Sequence, residues 1–176
     1  PRDVASLQDD LPALKERVAR HVTEEVAALR GKLVEFDVIN EPFSNHDLMD
    51  LLGERVMVDW FHLAREADPE LRLYINDYAI LSAGGRDKAH QQHYEKTIRN
   101  LLSQGAPLQG IGLQSHFGMD LTAPERLLAI LDRFAAFGLP LQVTEHDIDI
   151  SDEVLQADYT RDFFTVMFSH PAVDSV

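Results

Sequence analysis

Two glutamates close apolar runs in this chain. Glu41 follows Phe36-Asp37-Val38-Ile39-Asn40 and precedes Pro42, while Glu145 follows Leu141-Gln142-Val143-Thr144 and precedes His146-Asp147-Ile148. A carboxylate at the end of a buried strand costs free energy unless it is paired or used. Two of them, about a hundred residues apart in one repeating strand–helix pattern, point to a site that needs two carboxyl groups. Cleavage of a glycosidic bond is the reaction class that most often does.

Alternating elements must position them. Apolar residues at helical spacing (Leu14, Val18, Val22, Val26, Leu29) predict a helix over 10–30, with Gly31 placed to end it. A short run over 33–40, rich in Val, Ile and Phe, fits a strand. The spacing predicts one helix over 47–67, stopped by Asp68-Pro69, then a strand over 71–76. Gly84-Gly85 breaks the chain before a helix over 86–103. A strand follows over 110–116. Thr122-Ala123-Pro124-Glu125 reads as an N-cap with an early proline, opening a helix that ends at Gly138. The fourth strand covers 141–148, and Ser151-Asp152-Glu153 opens the last helix, to about 169. Val173 to Val176 look like the approach to another strand. Strands alternating with helices predict an α/β fold with a parallel sheet.

Each strand closes on polar residues: Asn40-Glu41, Asn76-Asp77-Tyr78, Gln114-Ser115-His116 and Glu145-His146-Asp147. In parallel β/α folds ligands bind at that edge. Strand alternation puts Glu145 with Asp147 on one face, Gln114 with His116, and Asn76 with Tyr78, and it turns His146 toward the helices.

Composition narrows the partners. The 176 residues suffice for one domain, and 45% hydrophobic with 26% charged content is ordinary for a globular protein. A formal net charge of −14 argues against nucleic acid and against anionic membrane surfaces, and leaves a neutral polymer compatible. No cysteine is present, so disulfides and thiolate metal sites are excluded. No stretch has the apolar length of a membrane-spanning helix. Pro1 is not a translation start, so a preceding segment, with any targeting signal, is expected.

The segments DVINEP, LYINDY, GIGLQSH and VTEHDIDI, in this order and spacing, resemble the signature stretches of glycoside hydrolase family 10, the endo-β-1,4-xylanases. The resemblance runs from about Leu11 to the closing SHPAVDSV. It implies a (β/α)8 TIM barrel and retaining hydrolysis of internal bonds of β-1,4-xylan. It makes Glu41 the acid/base and Glu145 the nucleophile. It puts Asn40 on the sugar 2-hydroxyl beside the nucleophile, His116 in a hydrogen bond to Glu145, and Asp147 as the carboxylate that orients His116. Gln114, Asn76 and Tyr78 match positions near the reacting sugar. The resemblance implies no metal and no organic cofactor, a xylan or xylo-oligosaccharide substrate, a monomer when complete, and a secreted or periplasmic location.

His146 departs from the family, which usually has an apolar residue there. A full barrel needs about 250 residues, so residues 1–176 are expected to be a partial catalytic domain. The fragment would cover about strands four to seven and the start of strand eight, and be poorly active alone. A rival reading makes His116, His146, Asp147 and Glu145 ligands of a barrel metal hydrolase, against which His146 alternates out of phase with Glu145. Another is a carbohydrate-binding remnant without turnover. His90 and His93 read as a solvated helix face rather than a metal chelate. Trp60 reads as core.

Overall fold

The computed structural model describes Val4 and residues 6–176; Pro1 lies outside the described residues. The elements are α1 (Leu11–Leu29), β1 (Glu35–Asn40), α2 (Asp47–Leu52), α3 (Val56–Ala67), β2 (Arg72–Asp77), a 3-10 turn (Ala83–Gly85), α4 (Lys88–Ser103), β3 (Gly110–Phe117), α5 (Pro124–Ala135), β4 (Leu141–Ile148), α6 (Glu153–Ser169) and β5 (Val173–Ser175). The five strands form one sheet in chain order, every neighbouring pair parallel. Crossovers between parallel strands are right-handed. A strand order that never reverses therefore puts every crossover on the same side, which is barrel topology rather than a doubly wound sheet.

The helix-side face of the sheet is apolar. Leu73, Ile75, Ile111, Leu113, Leu141 and Val143 are buried there, with Phe61, Tyr94, Leu127, Phe134 and Phe163 from the helices. Trp60 joins this core at 6% exposure, as expected. The Tyr94 hydroxyl lies 2.8 Å from the carbonyls of both Ile75 and Gly112, tying β2 to β3. The inner face is polar: Arg72 pairs with Glu35 at 2.8 Å and with Asp174 at 3.2 Å, and Gln142 bonds Glu35.

Local chemistry explains where the predicted boundaries shift. The expected helix over 47–67 is two helices, because Gly53 adopts φ 84, a left-handed value that ends α2 before α3 starts. Thr122 does not cap α5. Its hydroxyl donates to Leu81 O at 2.5 Å, Tyr159 OH donates to its carbonyl at 2.9 Å, and Ala123 takes the cap position. The expectation of a solvated His90 fails as well: the ring is 1% exposed, because α4 turns it against Asp77 and Phe43. Asp152 does cap α6, accepting from Val154 N and Leu155 N.

Candidate active site

Both glutamates sit in a conformation that side chains avoid. Glu41 and Glu145 each have φ 55. A left-handed non-glycine residue costs about 1–2 kcal/mol, so the surrounding structure must impose it. At Glu145 the imposing feature is a register step. Gln114 pairs with Thr144, but the next pair is His116 with Asp147, so β4 holds one extra residue. The step lets Thr144 and Glu145 both face inward while His146 faces the helices. At Glu41 the chain leaves β1, with Glu41 N bonded to Asn76 O at 2.8 Å and Asn45 N to Glu41 O at 2.8 Å.

Two amides then cross the sheet. Asn76 on β2 reaches over β3 and donates to Glu145 Oε1 at 3.0 Å, and Thr144 Oγ1 donates to Asn76 Oδ1 at 2.9 Å, which fixes the amide's orientation. Gly112 makes this crossing possible: a Cβ there would sit 2.5 Å from Asn76 Oδ1. Gln114 on β3 reaches the other way and donates to Glu41 Oε1 at 3.2 Å and Asn40 Oδ1 at 3.3 Å. Asn45 donates to Glu41 Oε2 at 3.3 Å.

His116 stands between two carboxylates. Nδ1 lies 2.6 Å from Asp147 Oδ2 and Nε2 lies 3.2 Å from Glu145 Oε2. An ionised carboxylate only accepts, so each ring nitrogen that meets one must donate, and the arrangement favours the protonated imidazole. Burial pulls its pKa down, but the hydrogen bonds to Asp147 and Glu145 outweigh that and hold it above the ordinary value. Asp37 lies on the same inner face. Burial, then the charges of Glu145 and Glu35, push its pKa up to about 6 against a hydrogen bond from Asn76.

Behind Glu41 is a buried support. Asp77 Oδ1 accepts from Tyr78 N at 2.9 Å and lies 3.0 Å from His90 Nε2. The His90 ring stacks on Phe43 at 4.0 Å and meets the edge of Tyr78 at 4.5 Å. Burial raises the Asp77 pKa, opposed by His90 and by the backbone amides of Tyr78 and Phe43. Between Glu41, Tyr78, Gln114 and His116 an open groove of about 410 Å³ runs along the strand edge.

Known proteins share this arrangement of sequence and fold. The family model for glycosyl hydrolase family 10 matches residues 1–176. The chain belongs to glycosyl hydrolase family 10. It is 34% identical over 154 residues to a beta-1,4-xylanase of Dictyoglomus thermophilum, covering 83% of this chain and 42% of that protein. A solved family 10 structure from Paenibacillus barcinonensis superposes with TM-score 0.83 at 28% identity, covering 94% of this chain and 56% of that one. Xylanase 10B of Thermotoga petrophila, solved in complex with xylobiose, gives TM-score 0.80 at 25% identity, covering 96% of this chain and 53% of the other. The chain therefore spans about half of the family 10 barrels it matches, and its five-stranded sheet is an arc of a (β/α)8 barrel.

Against the family pattern, the structure gathers the expected residues at one strand edge in two hydrogen-bonded groups, Asn40 and Gln114 around Glu41, and Asn76, His116 and Asp147 around Glu145, with Tyr78 beside Glu41 on the groove. The amide that donates to Glu145 is that of Asn76, while Asn40 accepts from Gln114. The reason is geometric, since Asn40 lies on β1 beside Glu41 and Asn76 is the amide that crosses toward β4. Asn45 joins the Glu41 group and Thr144 and Asp37 join Asn76, and none of the three stands out as a site residue in the sequence. Asp37 carried a signal, a charged side chain inside an apolar run. Thr144 carried none, because strict alternation would have turned it and Glu145 to opposite faces.

Proposed function

We propose that the enzyme carrying this chain is a retaining endo-1,4-β-xylanase. Glu145 attacks the anomeric carbon, and Glu41 protonates the leaving oxygen and later deprotonates the incoming water. The observation that carries the reading is the pair of left-handed glutamates at one strand edge, each held by an amide from an intervening strand. Asn76 donates to Glu145 Oε1 and His116, whose pKa is raised, stands at Glu145 Oε2, which supplies the polar partners an attacking carboxylate needs. Glu41 borders the open groove, where a leaving group and then a water can enter. Retention requires the two carboxyl groups to lie about 5–5.5 Å apart across the sugar. Asn40, exposed beside Glu41, is placed to meet a sugar hydroxyl, and Tyr78 to flank the leaving sugar. The substrate is xylan or a xylo-oligosaccharide, in line with the xylanase names of the relatives and the xylobiose held by the Thermotoga petrophila enzyme. A polymer of that size is met outside the cytoplasm, so we place the enzyme in a secreted or periplasmic setting, as a monomer. The arc alone presents one wall of a cleft and is expected to turn over little or nothing.

The metal-hydrolase alternative loses its fourth ligand, because His146 stacks on Phe163 on the helix side of β4, away from Glu145. The test is a mechanism-based trap. The complete enzyme is treated with a 2-fluoro xylobiosyl substrate, digested and mapped by mass. Label on the peptide carrying Glu145 is expected. An unlabelled enzyme that still hydrolyses xylan, or label on another residue, overturns the assignment.

A further inference from the structure

On the face of β4 opposite Glu145 lies a pair of side chains that the two-carboxylate chemistry leaves unused. Ser115 is completely buried and sits opposite the point where the β3–β4 register steps. Its hydroxyl donates to Thr144 O at 3.1 Å and lies 3.2 Å from His146 Nδ1. Thr144 and His146 are the two chain neighbours of Glu145. One serine thus grips the bulge on both sides of the left-handed residue. A hydroxyl has a single proton, and this one goes to Thr144 O, so His146 Nδ1 is the donor in the second contact.

The imidazole is held as firmly from outside. It lies parallel to the Phe163 ring at 4.4 Å with 3° between the planes, and the edges of Phe164 and Phe117 meet it at 5.2 and 6.1 Å. Burial lowers its pKa, against a contact with the Ser115 backbone and the charge of Asp147 that raise it, while His116 lowers it further. A ring that carries its proton on Nδ1 is what the grip needs. An apolar residue of similar size would fill the space against Phe163 but would offer Ser115 nothing.

We propose that Ser115 and His146 are positioning residues that lock the β4 bulge and so fix the direction in which Glu145 enters the barrel. This rests on the reading of Glu145 as nucleophile.

The test compares H146L, H146N and S115A with the parent in the complete enzyme. The measurements are kcat, KM, melting temperature and the rate of trapping by the 2-fluoro xylobiosyl substrate. For H146L, kcat and the trapping rate are expected to fall together by about 10- to 100-fold, with KM within about twofold of the parent. H146N, whose side-chain amide can donate where Nδ1–H does, is expected to return to within about threefold. S115A moves in the same direction as H146L, and the double variant is no worse than the weaker single, because both remove one interaction. Parental kcat and trapping in H146L overturn the proposal, as does a loss that follows melting temperature and is not rescued in H146N. If H146L does not fold, S115A decides: parental trapping by S115A overturns it. A parent that neither cleaves xylan nor takes label on Glu145 fails earlier, and sinks the xylanase reading together with this one. An active, labelled parent with unaffected variants sinks the grip alone.

Discussion

The two glutamate corners share a backbone device and a crossing amide and differ in the other groups around them. Both residues sit at φ 55 and both β1 and β4 carry a register step, but Glu145 stands within its strand and Glu41 on the loop that leaves its own. The Glu145 carboxylate receives an amide at 3.0 Å and an imidazole whose pKa is raised. Among the described residues the Glu41 carboxylate meets neutral amides, at 3.2 and 3.3 Å. A group that must be ionised to attack and again on leaving profits from a cationic donor, whereas one that must gain and lose a proton would be locked by it. The hidden supports differ too. The ionisable pair Asp77 and His90 is buried behind the Glu41 loop, at 0% and 1% exposure. At the Glu145 corner the pair His116 and Asp147 is open to solvent, at 44% and 61% side-chain exposure.

The most severe way to break the comparison is to remove each carboxylate. Glu145→Ala in the complete enzyme is expected to cost roughly 10⁴-fold or more in kcat on every substrate. Glu41→Gln is expected to cost about 10²–10⁴-fold on xylan and far less on activated aryl xylosides, whose leaving groups need no proton. Equal losses across both substrate types would erase the distinction between the corners, and near-normal xylan turnover by Glu145→Ala would end it.

Gly112→Ala probes the crossing amide without touching either carboxylate. The new Cβ would lie 2.5 Å from Asn76 Oδ1, so the amide must leave Glu145. The loss of one such oriented donor predicts a fall in kcat of about 10- to 100-fold, read with the aryl substrate so that proton donation drops out. An unchanged rate would show that Asn76 does not serve Glu145.

A smaller effect should appear in the His116 titration followed by NMR. Because its pKa is raised in the fold above 6.5, its contribution to stability is complete below 6.5 and is lost as pH rises through the folded value. Asp147→Asn removes the carboxylate nearest Nδ1, so the pKa should fall toward or below the ordinary value. A His116 titration unmoved by this change would remove the electrostatic half of the comparison.

The smallest effect concerns Asp37, on the floor between the corners. Its pKa of about 6 in the fold exceeds the ordinary 3.8, so its contribution is greatest below 3.8 and is lost as pH rises through 6. Asp37→Asn should flatten that slope and raise the melting temperature at pH 7 by about 1–3 °C, solvent on the open inner face screening the rest. A lowered melting temperature at pH 7 would contradict the sign.

Much of this was legible in the chain. The strand and helix order was readable because apolar spacing differs between period two and period 3.6. The polar clusters at the strand ends were readable as one site because parallel strands deliver their C-terminal ends to one edge. What was not legible has a common cause. Thr122 turning from a cap to the Leu81 carbonyl is a choice made by a neighbour distant in sequence. His90 looked solvated because its partners, Asp77 and Phe43, lie on other elements.

The sequence by itself determined the alternation, the polarity of each strand end and the membership in family 10, since these depend on residue types and short spacings. The tertiary structure alone decided that β4 carries one extra residue, that Asn76 rather than Asn40 serves Glu145, and that Gly112 leaves it room. Those outcomes depend on which strand lies beside which and at what register. No local preference encodes that; it follows when the helices and sheet bury their common apolar face and fix the strands against one another.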